Sequence, residues 1–183
     1  MAGTLTVQTL QGPSSGANAN KLLIPSGQTL DVSGGTLVPS EKQIVQTVKN
    51  LASGYTNHST TSWTATGLAV TITPKYSNSI IRLDVSTNIW WSTASANAEY
   101  ACLGFYRNGT SILPTVYGVA LKGAKGAYEN YNDPINFTYY DSPSSTSALT
   151  YTLYGRNYYG NWTFGINDTG SGYPIVTATE IAQ

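Results

Sequence analysis

The sequence holds one cysteine, one histidine and one methionine in 183 residues, and few charges of either sign. Cys102 has no partner for an internal disulfide, and a cysteine-based zinc site needs at least two thiolates. A lone His58 excludes catalytic plans that need several imidazoles, and with them His-rich metal sites. Charged residues make up 10% of the chain, against roughly 25% in an average soluble domain. Nine Lys and Arg balance nine Asp and Glu, so there is no basic footprint for nucleic acid. No apolar run approaches the ~18–20 residues of a membrane helix, and no membrane insertion is expected. The opening Met1-Ala2-Gly3-Thr4 lacks the basic and apolar regions of a secretory signal. No catalytic, cofactor-binding or metal-ligating set is expected.

What the chain does have is 40% hydrophobic residues, 11% aromatics, 14 Tyr and 18 Gly. This content argues against disorder. A surface of hydroxyls and amides with zero net charge favours association over monomeric solubility. The composition therefore points to an assembled β-protein.

The chain divides in two. Residues 1–53 contain no Trp, Tyr or Phe, so they cannot build a large core of their own. Short apolar alternations recur there: Leu5 and Val7, Leu22-Leu23-Ile24, Leu30 and Val32, then Leu37. Turn-rich pieces such as Pro25-Ser26-Gly27 and Ser33-Gly34-Gly35 separate them. Strands this short cannot bury an apolar face alone. They are read either as an extended anchoring arm or stem, wound with other copies or laid on a partner, or as a flexible arm. Residues 41–52 fit helical and strand spacing alike, and their Val and Thr favour a strand leading into the next domain.

From residue 54 to 183 the pattern is all-β. Leu68/Val70/Ile72, Ile81/Leu83/Val85/Thr87/Ile89 and Ala101/Leu103/Phe105 alternate with polar or small residues, the mark of strands with one buried face. Asn108-Gly109 suits a type I′ hairpin turn. Further strands are expected at Val116–Leu121, Ile135–Tyr140, Ala148–Tyr154, Trp162–Gly165 and Ile175–Ile181. In the last, Ile175, Thr177, Thr179 and Ile181 face one way and Val176, Ala178 and Glu180 the other. Residues 118–133 are expected to hold an exposed loop. Eight to ten strands at this spacing predict a β-sandwich or barrel.

Few residues suggest chemistry. Asp168-Thr169-Gly170-Ser171 matches the local pattern of aspartic proteases, but it lies in a turn-rich stretch and no second element accompanies it. Glu129, Asp133 and Asp141 offer carboxylates that glycoside hydrolysis would need at ~5–9.5 Å from one another, and a loop reading is favoured. The Asn-x-Ser/Thr sequons at Asn57, Asn108, Asn136, Asn161 and Asn167 are what an Asn-, Ser- and Thr-rich chain produces by chance. His58, in a polar stretch, reads as a surface residue, and Cys102 as a buried small hydrophobe. The aromatics are more informative. Trp90-Trp91, Tyr128, Tyr131, Tyr139-Tyr140 and Tyr158-Tyr159 offer amphipathic contact area that suits subunit interfaces or glycans. Adjacent strand residues point to opposite faces, so Trp90 and Trp91 cannot both enter one core.

Three stretches carry a resemblance. They are Thr4-Leu5-Thr6-Val7-Gln8-Thr9-Leu10-Gln11-Gly12-Pro13 with Lys21-Leu22-Leu23-Ile24-Pro25-Ser26-Gly27-Gln28-Thr29-Leu30-Asp31-Val32, then Trp63-Thr64-Ala65-Thr66-Gly67-Leu68-Ala69-Val70-Thr71-Ile72-Thr73-Pro74, and the ending Val176-Thr177-Ala178-Thr179-Glu180-Ile181-Ala182. Together they resemble virion surface proteins of tailed, cyanophage-like bacteriophages. The resemblance implies a jelly-roll β-sandwich of the C1q/tumour-necrosis-factor type over residues 54–183. It also implies a non-enzymatic homotrimer, serving as a capsid decoration or cement protein or as a short tail fibre. The implied partners are other copies of the chain, a major capsid protein or a tail or adaptor protein, and a host surface glycan. A lectin-like receptor-recognition module is the alternative.

Overall fold

Alternation of β-branched and aromatic residues with small polar ones gives the described part of this chain strands and no helix. The structure, a computed structural model, describes residues 14–16, 26, 42–51, 56–92, 99–124, 131–159, 163–166 and 174–183. It separates into two compact units, Met1–Val38 and Pro39–Gln183. In the first unit only 14–16 and 26 are described, and all four are exposed. The candidate anchors Leu5, Val7, Leu22, Leu23, Ile24, Leu30, Val32 and Leu37 lie outside the described residues.

The second unit holds β1 (Ile44–Leu51), β2 (Thr56–His58), β3 (Thr64–Ile72), β4 (Ile80–Ser92), β5 (Glu99–Arg107), β6 (Thr110–Ser111), β7 (Ala120–Ala124), β8 (Tyr131–Asp141), β9 (Leu149–Asn157), β10 (Thr163–Ile166) and β11 (Ile175–Ile181). A six-stranded sheet runs β1-β11-β4-β10-β2, with β8 on the other edge of β4. A five-stranded sheet runs β3-β9-β5-β6, with β7 also on β5. All pairings are antiparallel. Without the short strands β2, β6 and β10, the orders are β1-β11-β4-β8 and β3-β9-β5-β7. Consecutive strands then alternate between sheets except at β5–β7, which is the connectivity of a jelly roll.

The core lies between the sheets. Ile81, Leu83, Val85, Ile89 and Trp91 of β4 meet Leu68, Val70 and Ile72 of β3, Leu103 and Phe105 of β5, and Tyr151 and Leu153 of β9. The Asn108-Gly109 turn after β5 has φ of 49° and 79°, as a type I′ hairpin requires.

The sequence placed the domain boundary at 53/54. The observed division falls earlier, because β1 pairs with β11 along most of its length. A ladder needs backbone groups and a few aliphatics, so the lack of rings in residues 44–51 did not exclude them from the sandwich. Residues 116–119 precede β7 rather than forming a strand, and β7 and β8 begin within residues 118–133, where a loop is also expected from the sequence.

His58 is a further departure. It is 2% exposed rather than at the surface. Its strand, β2, pairs with β10, and its ring stacks on Phe164 at 5.0 Å. Its Nδ1 lies 2.7 Å from Thr64 Oγ1. Burial lowers its pKa to about 4, opposed by the Gly155 backbone. The unfolded chain, titrating near 6.5, therefore binds the proton more tightly than the fold does. This contribution to stability is complete above pH 6.5 and fades as pH falls toward 4. Between pH 7 and 4.5 the wild type should lose ~2 kcal/mol more than His58→Phe in urea denaturation. Equal losses in the two proteins would exclude His58 as the source.

Candidate functional site

Among the described residues six large apolar side chains are exposed, and they fall on two surfaces. Ile44, Leu51 and Tyr140 lie on the six-stranded sheet. Val116, Tyr117 and Tyr159 lie beside the five-stranded sheet.

Register builds the first surface. Across the outer face of the six-stranded sheet, Ile44, Ile181 and Ile80 form one row. The next rows are Thr47, Thr179, Arg82 and Tyr140, then Lys49, Thr177, Asp84 and Thr138, then Leu51, Ile175, Ser86 and Asn136. Farther along, Trp90 lies between Gly165 and Asn132. The charges in this face are mostly cancelled within it. Arg82 Nε donates to Asp84 at 2.9 Å, and the Thr138 hydroxyl donates to the other Asp84 oxygen at 2.6 Å. A depression of about 370 Å³ opens at its centre, lined by Asp84, Ser86, Asn136, Thr138, Ile175 and Thr177 among others.

The second surface is a tyrosine cluster. The backbone N–H of Tyr158, just past β9, donates to the Tyr100 carbonyl of β5 at 2.9 Å, which brings the two strands' aromatics together. Tyr158 meets Tyr159 edge-on at 4.8 Å, Tyr100 at 6.4 Å and Tyr117 at 5.0 Å. Tyr159 also meets Tyr100, at 6.0 Å. The Tyr158 hydroxyl donates to that of Tyr117 at 3.4 Å. The hydrogen bond from Tyr158, then the proximity of that phenol, raises the Tyr117 pKa. Arg156 holds the cluster from beneath. Its guanidinium lies 5.2 Å from the Trp63 ring centre and 5.4 Å from that of Tyr158. It donates to the carbonyls of Val116 at 2.6 Å and Thr61 at 3.3 Å.

The 112–119 loop that carries Tyr117 is built onto the sheet. The Tyr117 N–H donates to Thr115 Oγ1 at 3.2 Å, and the Gly118 N–H to the Thr115 carbonyl at 3.1 Å. Val119 N–H donates to the Leu103 carbonyl at 2.8 Å. Gly104 leaves the space that Leu113 fills, and Cys102 is fully buried on the same strand.

The aromatics named from sequence thus separate. Tyr158 and Tyr159 come together. Trp90 and Tyr140 lie on the other sheet's outer face. Trp91 is corrected: at 1% exposure it packs in the core against Phe164 and offers no contact surface. Tyr139 also turns inward, toward Phe105, and its hydroxyl donates to the Ile112 carbonyl at 2.7 Å. Tyr131 lies on β8 opposite Trp91. Tyr128 lies outside the described residues. Sequence reading missed Tyr100, Tyr117, Trp63 and Arg156. The alternation around Cys102 placed Tyr100 on the outer face, but nothing local joined it to residue 117.

Asp84, Asp141 and Glu180 are engaged structurally, and Asp133 lies on β8 opposite Ile89. Asp141 accepts from Arg107 and from the Tyr151 hydroxyl, both at 2.7 Å. Burial, then the bond to Asp141, raises the Tyr151 pKa. Glu129 and Asp168 lie outside the described residues. Among the described residues no three His, Cys, Asp or Glu side chains gather as a metal site, and no helix could cross a membrane.

No family profile matches the chain, and no curated protein matches its sequence. One solved structure it is similar to is the VP2 subviral particle of infectious bursal disease virus, with a TM-score of 0.33 and 11% identity. That match covers 92% of this chain and 45% of the viral one, so the chain spans less than half of that protein's length.

Proposed function

We propose that this is a non-enzymatic structural protein of a bacteriophage virion surface, assembled as a homotrimer through the outer face of its six-stranded sheet. In this reading residues 1–38 attach it to a major capsid protein, as a decoration or cement protein, or to a tail or adaptor protein, as a short fibre. The C1q/tumour-necrosis-factor-like sandwich projects outward. The observation that carries the reading is the make-up of that sheet face. Three exposed apolar side chains, the hydroxyls of Thr47 and Thr138, a self-cancelling Arg82–Asp84 pair and a central depression make a broad surface that loses little on dehydration. The sequence resemblance supports the virion setting.

Light scattering of the wild type should give three times 19.5 kDa. Tyr140→Arg, which would put an unpaired charge into the dehydrated contact, should weaken assembly by on the order of 100-fold. A wild type that stays monomeric at tens of micromolar sinks the trimer. An antibody against the sandwich should label the capsid or the tail of intact particles, and unlabelled particles would exclude the virion placement.

A further inference from the structure

The tyrosine cluster lies outside the face used in that assembly. We propose that it binds a neutral carbohydrate, with the ring faces of Tyr117 and Tyr159 stacking on the C–H faces of sugar residues and their phenols bonding to sugar hydroxyls.

The rings are prepared for this before any ligand arrives. Tyr117 is 43% exposed and Tyr159 54%, yet both touch the half-buried Tyr158. Tyr158 is fixed by its backbone bond to Tyr100 and by the guanidinium near its ring. Holding aromatic faces in place keeps the entropy cost of binding low. The groups the patch offers suit a sugar: phenol hydroxyls both donate and accept, as sugar hydroxyls do. The Arg156 guanidinium lies against Trp63 and Tyr158 and donates to two backbone carbonyls.

Among the described residues, the exposed side chains of Val116, Tyr117 and Tyr159 offer on the order of 300 Å², a footprint of one or two sugar residues.

The inference stands apart from the trimer, because each is read by a different measurement. The test uses the full chain with methyl β-glucoside, methyl β-galactoside, methyl α-mannoside and a β1,4-linked N-acetylglucosamine trimer. Saturation-transfer NMR should show at least one binding saturably in the millimolar range. Ring resonances of Tyr117 and Tyr159 should shift in the wild type as it does. Tyr117→Ala and Tyr159→Ala should each weaken binding at least fivefold, while Tyr159→Phe stays within threefold because the ring remains.

Absence of saturable binding to all four probes, or shifts confined to other residues, would overturn the proposal. So would Ala variants that bind like the wild type. If the Ala variants instead lower the light-scattering mass and the wild type binds no sugar, the patch is a contact between copies. A sugar-silent trimer rejects this inference alone, and a sugar-binding monomer rejects only the assembly.

Discussion

Replacing Glu180 with Ala is expected to destabilise the sandwich by about 4 kcal/mol. Glu180 is 0% exposed, on the inner face of β11. One carboxylate oxygen accepts from the backbone N–H of Lys75 at 2.8 Å, that of Tyr76 at 3.1 Å and the Ser79 hydroxyl at 2.8 Å. The other accepts from Gln46 Nε2 at 2.7 Å. A single side chain thus ties β1 and the β3–β4 connection to β11.

Hydrogen bonds to a charged acceptor contribute about 1.5–3 kcal/mol each, and buried donors left without one carry the full desolvation penalty. Releasing the carboxylate to water in the unfolded state offsets part of this, which keeps the net loss near that of a broken buried pair. Glu180→Gln should cost less, about 1–2 kcal/mol. It keeps an acceptor for the loop, but its amide faces that of Gln46, which also donates to the Thr73 carbonyl at 2.7 Å and is not free to turn round. Urea denaturation of the three proteins checks the order. A loss below 1 kcal/mol for the Ala variant would remove Glu180 from the account of this fold.

Glu180 also marks how far sequence reading reaches. Period two on β11 put it on one face with Val176 and Ala178, and that face is the one turned to the core. Periodicity gave the face but not the four donors, which come from segments 101 to 134 residues away. The same limit applies elsewhere. Alternation identified β3, β4, β5 and β11, and it separated Trp90 from Trp91. It misjudged His58, because polar neighbours outweighed a three-residue strand whose burial depends on β10 and Phe164. It found Tyr158 and Tyr159 as neighbours in sequence. Tyr100 and Tyr117 reach them only once β5 pairs with β9 and the 112–119 loop folds back. Aromatic content was readable, but which rings meet is set by the topology.

Gly118 connects that loop to the sheet, and Gly118→Ala is expected to cost about 3 kcal/mol. Two effects add. Its φ of +78° is strained for any residue with a side chain. A Cβ there would also fall 2.2 Å from the Leu103 carbonyl oxygen and 2.8 Å from Trp63 Cη2, and the first of these is backbone that cannot give way. Gly109 separates the two effects. It has nearly the same φ, +79°, with open space where its Cβ would be, so Gly109→Ala should show the conformational cost alone, about 1 kcal/mol. The excess at Gly118 measures the contact between loop and sheet. Relieving it means lifting residues 112–119, which removes the Val119–Leu103 hydrogen bond and draws Leu113 away from Gly104. Cys102, fully buried in the wild type, then becomes reachable. Its thiol should react with a disulfide reagent at least tenfold faster in Gly118→Ala under native conditions, and at the wild-type rate in Gly109→Ala. Equal denaturation costs and equal thiol rates in the two variants would mean that the loop does not depend on the close approach at Gly118.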